Sequence, residues 1–124
     1  MTAVEPEREE TFVDQERVER VRKSLMDEGV FHDLAETFKA IGDPTRTKML
    51  YVLAREELCV GDIATLLGLT PSAISHQLRL LRHMKLVRHR RDGKVTYYAL
   101  DDNHIGNLLM EGLKHVAGEE DEDE

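Results

Sequence analysis

Residues 60–100 read VGDIATLLGLTPSAISHQLRLLRHMKLVRHRRDGKVTYYAL, and this stretch decides the fold. "VGDIATLLG" predicts a short helix, with Asp62 near its start, Ile63, Leu66 and Leu67 inward, and Gly68 as its stop. "LTPSAISHQLRLLRHM" predicts a second helix. Thr70 suits the N-cap, where its hydroxyl accepts an orphan N–H of the first turn, and Pro71 suits the first helical position, where a missing N–H costs nothing. Ile74, Leu78 and Leu81 recur at helical spacing and mark the inner face. Ser72, Ser75, His76, Arg79, Arg82 and His83 lie opposite, and Gln77 flanks the apolar side. In "LVRHRRDGKVTYYAL" two strand-like runs surround Asp92-Gly93, the signal of a tight type I′ hairpin. Helix, turn and helix with a polar outer face form a helix-turn-helix; the basic hairpin that follows makes it a winged helix.

Upstream, "DPTRTKMLYVLARE" repeats the start signal with Asp43 and Pro44, and turns Met49, Leu50 and Leu53 inward. Phe31, Leu34, Phe38 and Ile41 predict a helix that stops near Gly42. From Phe12 to Glu28, Val18, Val21 and Leu25 form a narrow apolar seam on a charged helix that Gly29 ends; such a seam needs a partner surface. Downstream, Asp101 or Asp102 caps a last helix to about Ala117, with Ile105, Leu109, Gly112 and Val116 as its stripe and Leu108 and Leu113 beside it. The expected class is mainly α with a β-hairpin. A winged-helix domain spans residues 12–117, with dimerisation helices at both ends, between acidic, disordered segments 1–11 and 118–124.

The chain has 124 residues, the length of one domain, and only 5% aromatics, so leucine, valine and isoleucine carry the packing. One cysteine excludes an internal disulfide. The acidic N-terminus lacks the apolar run of a signal peptide, and no stretch approaches the ~18 apolar residues of a membrane span. A soluble, cytoplasmic protein with no membrane partner is expected. The net charge of −8 hides an uneven distribution. Between Ser75 and Tyr98, Arg79, Arg82, Lys85, Arg88, Arg90, Arg91 and Lys94 face Asp92 alone, a net of +6. That concentration is an electrostatic footprint for phosphates. Ser72, Ser75, His76, Gln77 and Arg79 are placed to read base edges of double-stranded DNA, and Arg90, Arg91 and Lys94 at the hairpin tip to reach phosphate or the minor groove. A winged helix that binds protein is the competing reading. An enzyme is not expected, since neither a Ser/His/Asp or Cys/His order nor a phosphate-cradling glycine loop occurs.

His104 and His115, in "DDNHIGNLLMEGLKH" at 101–115, stand eleven residues apart. That is about three helical turns, so they share a face yet lie ~16 Å apart along the axis. A metal ion holds its ligand atoms at ~2 Å. Within one straight helix the two histidines cannot hold the same ion: either they are unrelated, or a second copy of the helix brings the partner.

"FKAIGDPTRTKMLYVL", "ELCVGDIATLLGLTPSAISHQLRLLRHMKLV", "DGKVTYYAL" and "DDNHIGNLLMEGLKH" resemble the ArsR/SmtB family of metal-sensing transcriptional repressors, over about residues 30–117. The resemblance implies a homodimeric winged helix that represses an operon for metal export, sequestration or detoxification and loosens from operator DNA when metal binds. In the zinc-sensing branch the C-terminal helices pack antiparallel. Asp102 and His104 match the first pair of ligands and His115 the first of the second pair. A crossing between Leu109 and Met110 then sets His104 against His115 of the partner subunit, and the two-fold makes two equivalent sites. The glutamate expected three residues after His115 is Gly118 here; Glu119 is the nearest substitute and Glu120 the next, water can fill the position, and Glu111 on the same face is a further donor. Nitrogen and oxygen donors suit Zn(II), with Co(II) as surrogate. The family's thiolate site is not expected: Cys59 stands alone, with Gly61 where a second thiol would be, and is read as a packed residue. His32, His76, His83 and His89 are left out of the metal set. The alternative is a winged-helix repressor without metal response, controlled by another ligand or by Cys59 oxidation.

Overall fold

The computed structural model describes residues 11–118. The expectations for 1–10 and for 119–124, Glu119 among them, lie outside the described residues. Contacts divide the chain into two units, one through Asp33 and one from Leu34.

In the first unit, α1 (Gln15–Arg22) is capped by Asp14, whose carboxylate accepts from the Arg17 N–H. The helix is shorter than its apolar seam predicts. The Ser24 hydroxyl and N–H both donate to the Val21 carbonyl, at 2.8 and 2.9 Å, and turn the chain out of the helix. Gly29 therefore does not end α1; it lies in the first turn of α2 (Glu28–Ile41), where the Asp27 carbonyl accepts from Val30. The helix α2 runs across the division between the units.

The second unit holds the core. After the end of α2 come α3 (Pro44–Arg55), β1 (Leu58–Cys59), α4 (Val60–Leu67), α5 (Pro71–His83), β2 (Val87–Asp92), β3 (Val95–Leu100) and α6 (Asn103–Ala117). Both proline starts form as expected: Asp43 accepts from the Arg46 N–H and Thr70 from the Ala73 N–H. Met49, Leu50, Leu53, Ile63, Ala64, Ile74, Leu78, Leu81, Leu86, Val87 and Leu109 are buried together. Leu66 is not among them; it is 59% exposed. At 100° per residue it falls outside the stripe of Ile63, Ala64 and Leu67. On α6 only Leu109 is buried, and Val116, expected in the stripe, is 81% exposed. Gly106 lets α6 close on the core, since a Cβ there would stand 3.3 Å from Leu100 and 3.7 Å from Ala54.

The strands form an antiparallel sheet in the order β1-β3-β2, with Leu58 opposite Tyr98, Val87 opposite Leu100 and Asp92 opposite Val95. β1 was not legible in the sequence, because two residues are too few for an alternating pattern. The hairpin loop is Gly93-Lys94, not Asp92-Gly93. Gly93 has φ +65° and Lys94 is not in the positive region. A type I′ turn needs positive φ at both central residues, whereas glycine at the first alone suits type II′.

Helix α5 ends in a Schellman motif: Leu86 N–H donates to Leu81 O and Lys85 N–H to Arg82 O, each at 2.9 Å. Lys85 occupies the left-handed position, φ +63°, that glycine normally takes. Leu86, the next residue, is delivered into the core beside Leu81. Lys85→Gly should therefore raise unfolding stability by ~0.5–1 kcal/mol, measured by urea titration, while removing one cation from the basic stripe.

Candidate nucleic-acid interface and metal-ligand helix

The buried stripe Ile74, Leu78 and Leu81 sets the opposite side of α5 toward solvent: Ser72, His76, Arg79, Arg82 and His83 are exposed and Ser75 is half-buried. Arg79, Arg82, His83 and Lys85 line one open concavity at the C-terminal end of the helix. None of the three permanent cations has an acidic partner within ion-pair distance among the described residues. A like-charged cluster that finds no counter-ion in its own fold suits a polyanion.

Two expected DNA-facing residues are engaged within the fold. Gln77 is half-buried, and its Oε1 accepts from Arg46 Nη1 at 3.2 Å. Arg46 also donates through Nε to the Ala40 carbonyl at 2.6 Å, so one guanidinium joins the end of α2 to the recognition helix. Arg90 donates through Nε and Nη2 to the two oxygens of Glu57, both at 2.8 Å, and its Cζ lies 5.0 Å from the centroid of the Tyr97 ring. The Arg90 side chain holds Glu57 below the ordinary carboxylate value, and Glu57 in turn raises Arg90. Arg88 donates to the Asp101 carbonyl at 2.9 Å. Arg91 and Lys94 remain exposed, with no ion-pair partner among the described residues. These partners escaped the sequence reading because Arg46 and Gln77 are 31 residues apart and Glu57 and Arg90 are 33 apart.

At the start of α6, Asp102 is the N-cap. Its Oδ1 accepts from the His104 N–H at 2.9 Å and lies 3.3 Å from His104 Nδ1. Two expected ligands thus stand side by side, and an imidazole oriented through Nδ1 keeps Nε2 for other donors or acceptors. His115 sits in the last turn of the same helix, exposed, and no group of three or more His, Cys, Asp or Glu converges among the described residues. Gly118 ends the helix in the left-handed conformation, φ +71°. Glu111, the further donor, is exposed and lies 3.7 Å from Lys114 Nζ. Cys59 is half-buried and precedes α4, its N–H donating to Asp62 Oδ2 at 3.1 Å.

A helix-turn-helix with a cationic recognition face and a basic β-hairpin wing defines a DNA-binding transcriptional regulator of the winged-helix class. The family profile described as "Bacterial regulatory protein, arsR family" matches residues 43–89. The chain is 42% identical, over 87% of its length and 82% of the other, to the transcriptional repressor SmtB homolog of Synechocystis sp.. It is 39% identical, over 86% and 88%, to the cadmium resistance transcriptional regulatory protein CadC homolog of Staphylococcus aureus. The structure is similar, with a TM-score of 0.66 and 25% identity over 76% of this chain and 94% of that one, to the homodimeric winged helix-turn-helix DNA-binding domain Mb0332 of Mycobacterium bovis. The chain belongs to the ArsR/SmtB family of transcriptional regulators, which are not enzymes. Among the described residues no helix is long and apolar enough to cross a membrane.

The Asp102 carboxyl lies below its ordinary value, first because it accepts the His104 N–H and second through the His104 imidazole. A carboxylate lowered on folding stabilises the fold fully above its unfolded pKa, and that contribution is lost as pH falls through the folded value. The gap in thermal midpoint between the metal-free wild type and Asp102→Ala should accordingly be full at pH 7 and narrow on acidification below about pH 4, leaving what a neutral carboxyl cap still contributes; a pH-independent gap would show that the cap does not act through its charge.

Proposed function

We propose that this chain represses transcription as a homodimer on operator DNA and releases it when Zn(II) binds between the C-terminal helices of two subunits. The pairing of Asp102 with His104 at one end of α6, with His115 three turns away on the same exposed face, carries this reading. One subunit would contribute Asp102 and His104 and the other His115, with Glu119 as the substitute fourth donor. Zn(II), when bound, would supply a tie between the two helices through these nitrogen and oxygen donors. The homodimer reading has a second support. Leu108, Leu113 and Val116 of α6 and Phe38 of α2 are exposed around an apolar groove, the kind of face that a second copy covers.

Ser72, Ser75, His76 and Arg79 are the base-reading candidates on α5. Arg91 and Lys94 are the phosphate candidates of the wing, and Gln77 supports the recognition helix through Arg46. Release follows by linkage: the arrangement of the two α6 helices that best unites the ligands must differ from the one in which both α5 helices fit successive major grooves.

Co(II) titration of the dimer should produce tetrahedral d–d bands that saturate at two ions per dimer, with zinc displacing cobalt and weakening operator binding. His115→Ala should abolish the bands and the release while leaving metal-free DNA binding intact. Release by zinc at wild-type affinity in His115→Ala would refute the assigned site. No bands at all would favour the repressor without metal response, under another ligand or Cys59 oxidation. Arg91→Ala and Lys94→Ala should each flatten the dependence of log K on log salt by about 0.9 for every phosphate no longer neutralised, read by fluorescence anisotropy on duplex DNA.

A further inference from the structure

Three elements close on one guanidinium in the outer half of the wing. Arg90 lies in β2 directly opposite Tyr97 of β3. Glu57, which grips Arg90 with both oxygens, stands immediately before β1, and β1 pairs with the other side of β3. The ion pair therefore reaches from the approach to one outer strand across to the other. Side chains alternate along a strand, and residues opposite each other share a face. Val87, His89 and Arg91 share the face of Tyr98 and Leu100, which packs on the core. Arg88, Arg90 and Tyr97 occupy the other face. A phosphate that reached Arg90 would have to displace a bidentate carboxylate and lift the guanidinium from Tyr97, with Asp92 Oδ2 only 3.9 Å from Nη1. Nothing comparable guards Arg91 or Lys94 among the described residues.

We propose that Arg90 is a positioning residue of the wing and not a phosphate contact: its fork to Glu57 ties β2 to the root of β1 and holds the hairpin at the attitude in which Arg91 and Lys94 meet the DNA backbone. This rests on the operator-DNA reading above. Exposed ion pairs in general contribute little, but a bidentate arginine–carboxylate pair is the exception in geometry. What it supplies here is direction: the side chains are 53% and 37% exposed, and neither belongs to the core.

Charge-conserving variants of the full chain test the brace. Glu57→Asp shortens the acid, and Arg90→Lys removes the fork and the stacking plane; neither changes the net charge or the general attraction to DNA. In the absence of DNA, both should accelerate amide hydrogen exchange over Arg91–Val95, and the double variant should go no further. On a mixed-sequence duplex of about 30 base pairs at low salt, each should bind about two- to fivefold more weakly, with the salt slope and thermal midpoint unchanged. In the absence of DNA, Glu57→Arg combined with Arg90→Glu, which keeps the wild-type net charge, should restore the hairpin exchange that Arg90→Glu alone accelerates. The brace is overturned if Arg90→Lys binds as the wild type while Glu57→Asp binds more tightly, the pattern of a phosphate contact that Glu57 masks. It is also overturned if exchange in the hairpin does not change. If Arg91→Ala combined with Lys94→Ala has no effect on duplex binding, the assignment of the wing to the DNA backbone fails by itself. The exchange measurement then decides the brace, with acceleration supporting it and no acceleration overturning it.

Discussion

The burial of Ile74, Leu78 and Leu81 against Met49, Leu50 and Ile63 is the constraint on which the rest depends. A helix turns by 100° per residue, so once those three side chains are committed to the interior the remaining positions have no freedom of face. Ser72, His76 and Arg79 are presented outward because their neighbours are held inward. The outward face of α5 has little to do with its own placement; the packing beneath it decides where the polar side chains go. The same core receives Leu86 and Val87, which start the wing at a fixed distance from the end of α5. Recognition helix and wing are thus two outcrops of one packed interior, and the strained backbone at Lys85 is where the chain passes from one to the other.

Much of this architecture was legible because its signals are local. Asp43-Pro44 and Thr70-Pro71 announce helix starts within a few residues, and the apolar spacing of α3 and α5 names its own buried positions. The seam of α1 misled, since Val18, Val21 and Leu25 keep helical spacing past the point where the Ser24 hydroxyl ends the helix. The turn type misled for a related reason: Asp92-Gly93 is a strong dipeptide signal, but the pairing of Asp92 with Val95 sets the register one residue later. What no local pattern carries is the partner of a surface charge. The sequence shows seven cations in one stretch; only the folded chain shows Arg88 and Arg90 turned to internal acceptors while Arg79, Arg82, Arg91 and Lys94 have no ion-pair partner among the described residues.

The candidate ligand set divides along the same line. Side by side, Asp102 and His104 are a local fact of a capped helix and could be read from three letters. Their relation to His115 is not local, because the rise of an α-helix separates them beyond the span of any single ion. Helix rise alone leaves two readings, unrelated histidines or a second copy of the helix that brings the partner, and the resemblance to a family is what favours the second.

The two-residue turn at Gly93-Lys94 bears on how such a wing can change over time. Every pair of residues added to each strand preserves which side chains look inward, so a longer arm with the same facing is reached by even increments. A single residue inserted between Val87 and His89 would flip His89 and Arg91 to the opposite surface and carry Arg90 away from Glu57. A hairpin that keeps its facing without a bulge therefore lengthens in doublets, and selection acting on its reach has a coarse ruler.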